Sequence, residues 1–113
     1  MKKLNLHVLI SFACAAALVI SPALAQSIAI IDSGVRPVPS LAGRIDQGVD
    51  FVDGALPALD TTSVLHGTTV SQIAASIDAR NRILPVRVLD GAGVTSASRL
   101  IQGVNYAARS QAR

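Results

Sequence analysis

The chain has a single cysteine, no tryptophan and no glutamate, and aromatic side chains make up only 3% of its 113 residues. Cys14 has no partner for an internal disulfide, and no Cys/His group has zinc-ligand spacing, so a disulfide scaffold and a structural zinc domain are both excluded. Scarce aromatics and a formal charge of only +3 argue against a nucleic-acid platform built on stacking and phosphate attraction. No Gly-rich phosphate loop follows the first apolar segment after residue 26, which disfavours a nucleotide-binding α/β domain. What is abundant is apolar: half of the residues are hydrophobic and 15% are charged, the balance of one small folded domain rather than a disordered segment.

Part of that apolar content sits in the first 25 residues. Lys2 and Lys3 lead into an apolar run from Val8 to Ile20, followed by Ala23-Leu24-Ala25. The run is shorter than the roughly 18 residues of a spanning helix, and small residues at 23 and 25 suit signal peptidase. Residues 1–25 are therefore read as a signal peptide cut before Gln26, which implies a secreted or periplasmic product with no membrane attachment after cleavage. Ser11-Phe12-Ala13 is a poor lipobox, so Cys14 is not read as a lipidation site. Residues 26–113 contain eight Arg, seven Asp, no Lys and no Cys. A domain of that size buries only about 60–65% of the surface its unfolded chain exposes, so its stability is expected to be marginal.

Within residues 26–113, Ser27 to Ile31 form a continuous apolar and β-branched run that stops at the turn signal Asp32-Ser33-Gly34, the pattern of a buried parallel strand. Val49, Phe51 and Val52 suggest a second short strand. Val70, Ile73, Ala74 and Ile77 recur at helical spacing, predicting a helix over residues 66–79 that lays this stripe on a sheet. Residues 83–89 predict a third strand, and Pro85 within it argues for an edge position or a local irregularity. Ala97, Leu100, Ile101, Val104, Ala107 and Ala108 form a second helical stripe over residues 96–109, with Thr95 or Ser96 as N-cap. Strands alternating with helices predict an α/β fold: a mostly parallel sheet with flanking helices and its ligand site beyond the carboxyl ends of the strands.

Asp32 falls at such a strand end. A rim carboxylate there can orient an imidazole, though an Asp after a strand can equally close the strand and cap a turn. His66, the one histidine after residue 25, opens the first helix, where it can serve as a general base near neutral pH or simply bond a loop carbonyl. Together they form a more specific pattern, because a right-handed crossover brings the helix start over the rim where the first strand ends. A carboxylate facing the imidazole within about 2.6–3.2 Å is two-thirds of a Ser-His-Asp triad.

On these residues the chain resembles the subtilisin-like serine peptidases. Ile28-Ala29-Ile30-Ile31-Asp32-Ser33-Gly34-Val35 is similar to the family's aspartate motif, and His66-Gly67-Thr68-Thr69-Val70 to its histidine motif. Gly48 to Asp53, Leu84 to Asp90 and Ile101 to Ala107 resemble further family segments in the same chain order. The resemblance implies a partial subtilisin-like fold over residues 26–113. It also implies Asp32 as orienting carboxylate and His66 as general base of a secreted serine endopeptidase acting on polypeptides. The family's nucleophile normally lies in a later Gly-Thr-Ser turn. This sequence has no such turn and lacks the usual oxyanion asparagine, so no nucleophile is assigned and the chain alone is expected to be inactive.

Thr69 stands in place of the family's second histidine, and Ser71-Gln72 in place of a small Ala-Gly pair on the face expected to pack. Calcium enters by resemblance only: Asp46, Asp50, Asp53 and Asp60 form no recognisable ligand loop, and no metal residue or other cofactor is assigned. The alternative from a different class is a non-catalytic secreted module that keeps the half-fold to bind an extended peptide or a complementing chain.

Overall fold

A computed structural model of the chain describes residues 26–112; the leader assigned to residues 1–25 lies outside the described residues. The elements run β1 (Ser27–Asp32), a short 3-10 turn at Pro39–Leu41, β2 (Val49–Asp50), α1 (His66–Ile77), β3 (Arg82–Arg87) and α2 (Ala97–Arg109). All three strands are parallel, in the spatial order β1-β3-β2. The β-branched run forms β1 as the sequence implies, and β1 pairs with β3 along its whole length, from Ser27 opposite Arg82 to Asp32 opposite Arg87.

Side-chain alternation along β1 splits the core into two layers. Ile28 and Ile30 join Ile83, Val35 and Leu41 on the face covered by α1, with Ala75, Val70 and Ala74 from that helix. Ala29 and Ile31 join Leu84, Val86 and Val88 on the opposite face, against Tyr106 of α2 and Phe51, whose rings meet edge to face at 6.1 Å. The sheet is thus covered on both sides, which explains its continuous apolar strands.

The helices rest on the sheet only partly by the stripes read from the sequence: Val70 and Ala74 pack against it, but the bulkiest members of each stripe do not. In α1 the buried positions are Gly67, Thr68, Ser71 and Ala75, while Ile73 and Ile77 are exposed. In α2 only Gly103 is buried, and Leu100, Ile101 and Val104 face outward. Small residues let the helix axes approach closely: a Cβ on Gly103 would lie 2.5 Å from Val88 Cγ1. Ser71 fits its buried position because its Oγ donates to the Gly67 carbonyl at 2.7 Å, satisfying the added hydroxyl within the helix. Ser96 is the N-cap of α2, its Oγ accepting from Arg99 N. Arg44 closes the other end of α1, donating from Nη2 to the carbonyls of Ala75 and Asp78 and from Nε to that of Asn81.

Pro85 lies in the central strand, so of its two readings the local irregularity is the one observed. Ile83 N donates to Arg44 O, which places alternate β3 amides, and the nitrogen of Pro85, toward the β2 side. On that side pairing jumps from Ile45 opposite Ile83 to Val49 opposite Val86, leaving one extra residue opposite the missing donor. Gly48 fills this bulge, and a Cβ there would fall 1.8 Å from Pro85 O. Gly48→Ala is expected to cost about 1–3 kcal/mol or more, read as a lowered urea midpoint, because neither backbone can give way cheaply.

Candidate active site

β1 ends at Asp32, whose carbonyl accepts from Val88 N at 2.8 Å, so the side chain emerges at the carboxyl rim of the sheet. There Ser33 N donates to Asp32 Oδ1 at 2.7 Å and fixes one carboxylate oxygen. The crossover through α1 returns over the same rim. His66 Nδ1 lies 2.9 Å from Asp32 Oδ1 and 3.0 Å from Oδ2, within hydrogen-bond reach of both oxygens. The imidazole is 60% exposed while the Asp32 side chain is 14% exposed, so the carboxylate is sheltered and the ring stands at the surface.

Gly67 makes this approach sterically feasible. A Cβ at Gly67 would lie 2.3 Å from Gly34 O, 2.9 Å from Ser33 Oγ and 3.1 Å from Asp32 Oδ1. The residue just before the helix, Leu65, takes a left-handed conformation with φ 49° and ψ 50° and supplies no side-chain cap. Such a conformation is unfavourable for a non-glycine residue, and residues held in it cluster at active sites and switch regions.

The first turn of α1 is capped from elsewhere. Asp60, fully buried, accepts at Oδ2 from Thr68 N (3.0 Å) and Thr68 Oγ1 (2.9 Å). Its Oδ1 accepts from Thr62 N (3.1 Å), Thr62 Oγ1 (2.7 Å) and Ser33 Oγ (3.0 Å). Burial alone would push the Asp60 carboxyl up, but the hydrogen bonds from Thr62 and Thr68 outweigh it and hold the carboxyl below its ordinary range. The sequence reading weighed Asp60 only as a calcium ligand, and its role as the cap of this helix was missed. The available signal was a carboxylate followed by Thr61-Thr62 shortly before a helix start that has no capping residue of its own.

The hydrogen bond that the Asp32 carboxylate accepts from the imidazole, and then its charge, raise His66 above its ordinary value of 6.5. A histidine raised on folding stabilises the fold fully below its unfolded pKa, and that contribution is lost as pH rises through the folded value. The difference in stability between the unaltered chain and His66→Gln is therefore expected to be largest below about pH 6.5 and to shrink above it. Urea melts across pH 5–9 measure it; a difference that grows toward alkaline pH contradicts the pairing.

Beside His66 opens a depression of about 350 Å³, bordered by Val64, Leu89 and the Gly91-Ala92-Gly93 loop. Asp90 shapes that loop by accepting from Ala92 N and Val94 N. A larger depression, about 430 Å³, lies away from the dyad among Val35, Ile45, Leu56, Pro57 and Pro85. Of the other aspartates the sequence singles out, each is held by an arginine. Asp50 and Asp53 both accept from Arg87 Nη1, at 2.8 and 2.6 Å, and Asp46 accepts from Arg82 Nε and Ser27 Oγ. Among the described residues no group of three or more His, Cys, Asp or Glu side chains is placed to hold a metal ion.

The described chain is thus a parallel α/β sheet covered by helices, with a carboxylate-held imidazole at its carboxyl rim. No protein-family profile matches the chain. It is 38% identical over 98 residues to a thermophilic serine proteinase of Bacillus sp. (strain AK1), covering 77% of this chain and 24% of that protein. It is 36% identical over 92 residues to thermitase of Thermoactinomyces vulgaris, covering 72% of this chain and 32% of that protein. The crystal structure of a cold-adapted subtilisin-like serine proteinase superposes with a TM-score of 0.67 at 29% identity, over 77% of this chain and 33% of that one. The chain belongs, over about 77% of its length, to the subtilisin-like serine peptidase family, and it spans about a quarter to a third of the length of these relatives.

Proposed function

We propose that Asp32 and His66 are the orienting carboxylate and the general base of a secreted or periplasmic serine endopeptidase. The observation that carries this reading is the contact of His66 Nδ1 with both Asp32 oxygens at 2.9 and 3.0 Å. A carboxylate at Nδ1 holds the proton there and leaves the Nε2 lone pair to act as base. Nε2 then takes the proton of a serine hydroxyl as its oxygen attacks the peptide carbonyl, and returns it to the leaving amine. The depression bordered by Val64 and Leu89 offers an apolar wall for a polypeptide side chain next to the bond cleaved.

No serine in these 113 residues stands in a Gly-Thr-Ser turn, so the polypeptide as given is expected neither to hydrolyse casein nor to take up a serine-directed fluorophosphonate. The positive test is a graft of residues 26–112 in place of the matching segment of thermitase. The chimera should hydrolyse casein, and His66→Ala within it should lower kcat by at least about 10⁴-fold. A folded chimera whose activity survives that change overturns the reading. The exposed apolar residues Leu100, Ile101 and Val104 on α2 favour the second reading, a binding module that docks a complementing chain. Cooperative unfolding of the chain on its own would support the module.

A further inference from the structure

We propose that Asp60, acting through the Ser33 hydroxyl, is the positioning residue that fixes Asp32 and His66 relative to each other. The inference rests on the dyad reading above and concerns how the pair is held. The His66 ring is mostly exposed and cannot be locked by packing around it, so its placement must come from the backbone beneath. Two backbone segments meet there: the turn after β1, which carries Asp32, and the first turn of α1, which carries His66.

Asp60 grips both. Its Oδ2 receives Thr68 N and Oγ1 of the helix, and its Oδ1 receives Ser33 Oγ from the turn. The same Ser33 Oγ accepts from Gly67 N at 2.9 Å, so one buried hydroxyl joins the aspartate turn, the helix start and the Asp60 carboxylate. Both Asp60 and Ser33 are 0% exposed, which keeps water from competing for these bonds. Arg36, on the loop after β1, completes the clamp: its N donates to Thr68 Oγ1 and its Nε to the Asp60 carbonyl.

Charge and position separate in the test. The charged groups facing His66 are Asp32 at the end of β1 and Asp60 beneath the helix start, and the negative charge of each raises the imidazole. Asp60→Asn removes a charge as well as the clamp, whereas Ser33→Ala removes only the hydroxyl link. The experiment is an NMR titration of His66 in the full 113-residue chain, with His7 assigned by His7→Gln. Circular dichroism monitors the fold of each variant.

Asp32→Asn sets the scale, and it should drop the His66 pKa toward 6.5. Ser33→Ala is expected to give at least half of that drop with helix content retained, and Asp60→Asn at least as much as Ser33→Ala. A folded Ser33→Ala chain whose His66 titrates as in the unaltered protein overturns the proposal, even if its melting midpoint falls. If Asp60→Asn does not fold, Ser33→Ala alone decides. An Asp32→Asn chain with unchanged His66 titration overturns the dyad reading itself, and the positioning role with it.

Discussion

Asp32→Asn, introduced into the thermitase chimera that carries residues 26–112, is expected to lower kcat by about 10⁴-fold while leaving the fold intact. Asparagine has nearly the shape of aspartate, and Ser33 N can still donate to its carbonyl oxygen. What changes is the other oxygen, now an amide that donates a hydrogen bond toward Nδ1. The imidazole must then accept at Nδ1 and carry its proton on Nε2, so the base arrives at the serine already protonated. A loss of 10⁴-fold corresponds to about 5 kcal/mol of transition-state stabilisation. Steady-state kinetics on casein measure it. A fall of less than tenfold would mean that Asp32 does not orient His66.

The second large effect is steric. Gly67→Ala would set a methyl group 2.3 Å from Gly34 O and 3.1 Å from Asp32 Oδ1, both at the turn that positions the dyad. The obstacle is chiefly backbone, so relief requires that the helix start and the β1 turn move apart. Overpacking of this kind costs about 1–3 kcal/mol, occasionally more, a large share of the roughly 5–15 kcal/mol that holds a folded domain together. The separation would also break the Gly67 N to Ser33 Oγ bond and pull His66 from Asp32. The expected result is a lowered urea midpoint together with loss of the raised His66 pKa. A variant that melts like the unaltered chain and keeps that pKa contradicts the close approach.

The dyad was legible because it rests on residue types that few other roles require in that order. An aspartate closing a β-branched run and a histidine opening a helix are each ordinary, but one parallel crossover puts both on the same rim. That the strands are buried and parallel was legible from their composition, since β1 and β3 are apolar on both faces; their register was not, because two apolar faces leave no alternation to fix it. The helix faces were legible only in part, through Val70, Ala74 and Ser71 of α1. A periodicity count weights Ile73, Ile77, Leu100 and Ile101 by size, whereas close packing against the sheet selects Gly67, Ser71, Ala75 and Gly103 by smallness.

Pro85 gave an ambiguous signal because a missing donor fits either an edge or a bulge, and only the partner strand decides which. Gly48 carried the answer in a form that reads as an ordinary loop glycine. Asp60 was missed as the cap of α1 because its partners, Ser33 and Thr68, lie 27 and 8 residues away and meet only once the rim is assembled. Its position before Thr61-Thr62 shows a turn, but nothing local shows that the turn reaches beneath β1.

The role of His66 turns on which of its ring nitrogens carries the proton. A long-range ¹H–¹⁵N spectrum of the full chain, recorded above the His66 pKa, reads this tautomer directly. Asp32 held 2.9 and 3.0 Å from Nδ1 requires the proton on Nδ1 and a free lone pair on Nε2. A ring protonated mainly at Nε2 would contradict the pairing and, with it, the assignment of His66 as the general base.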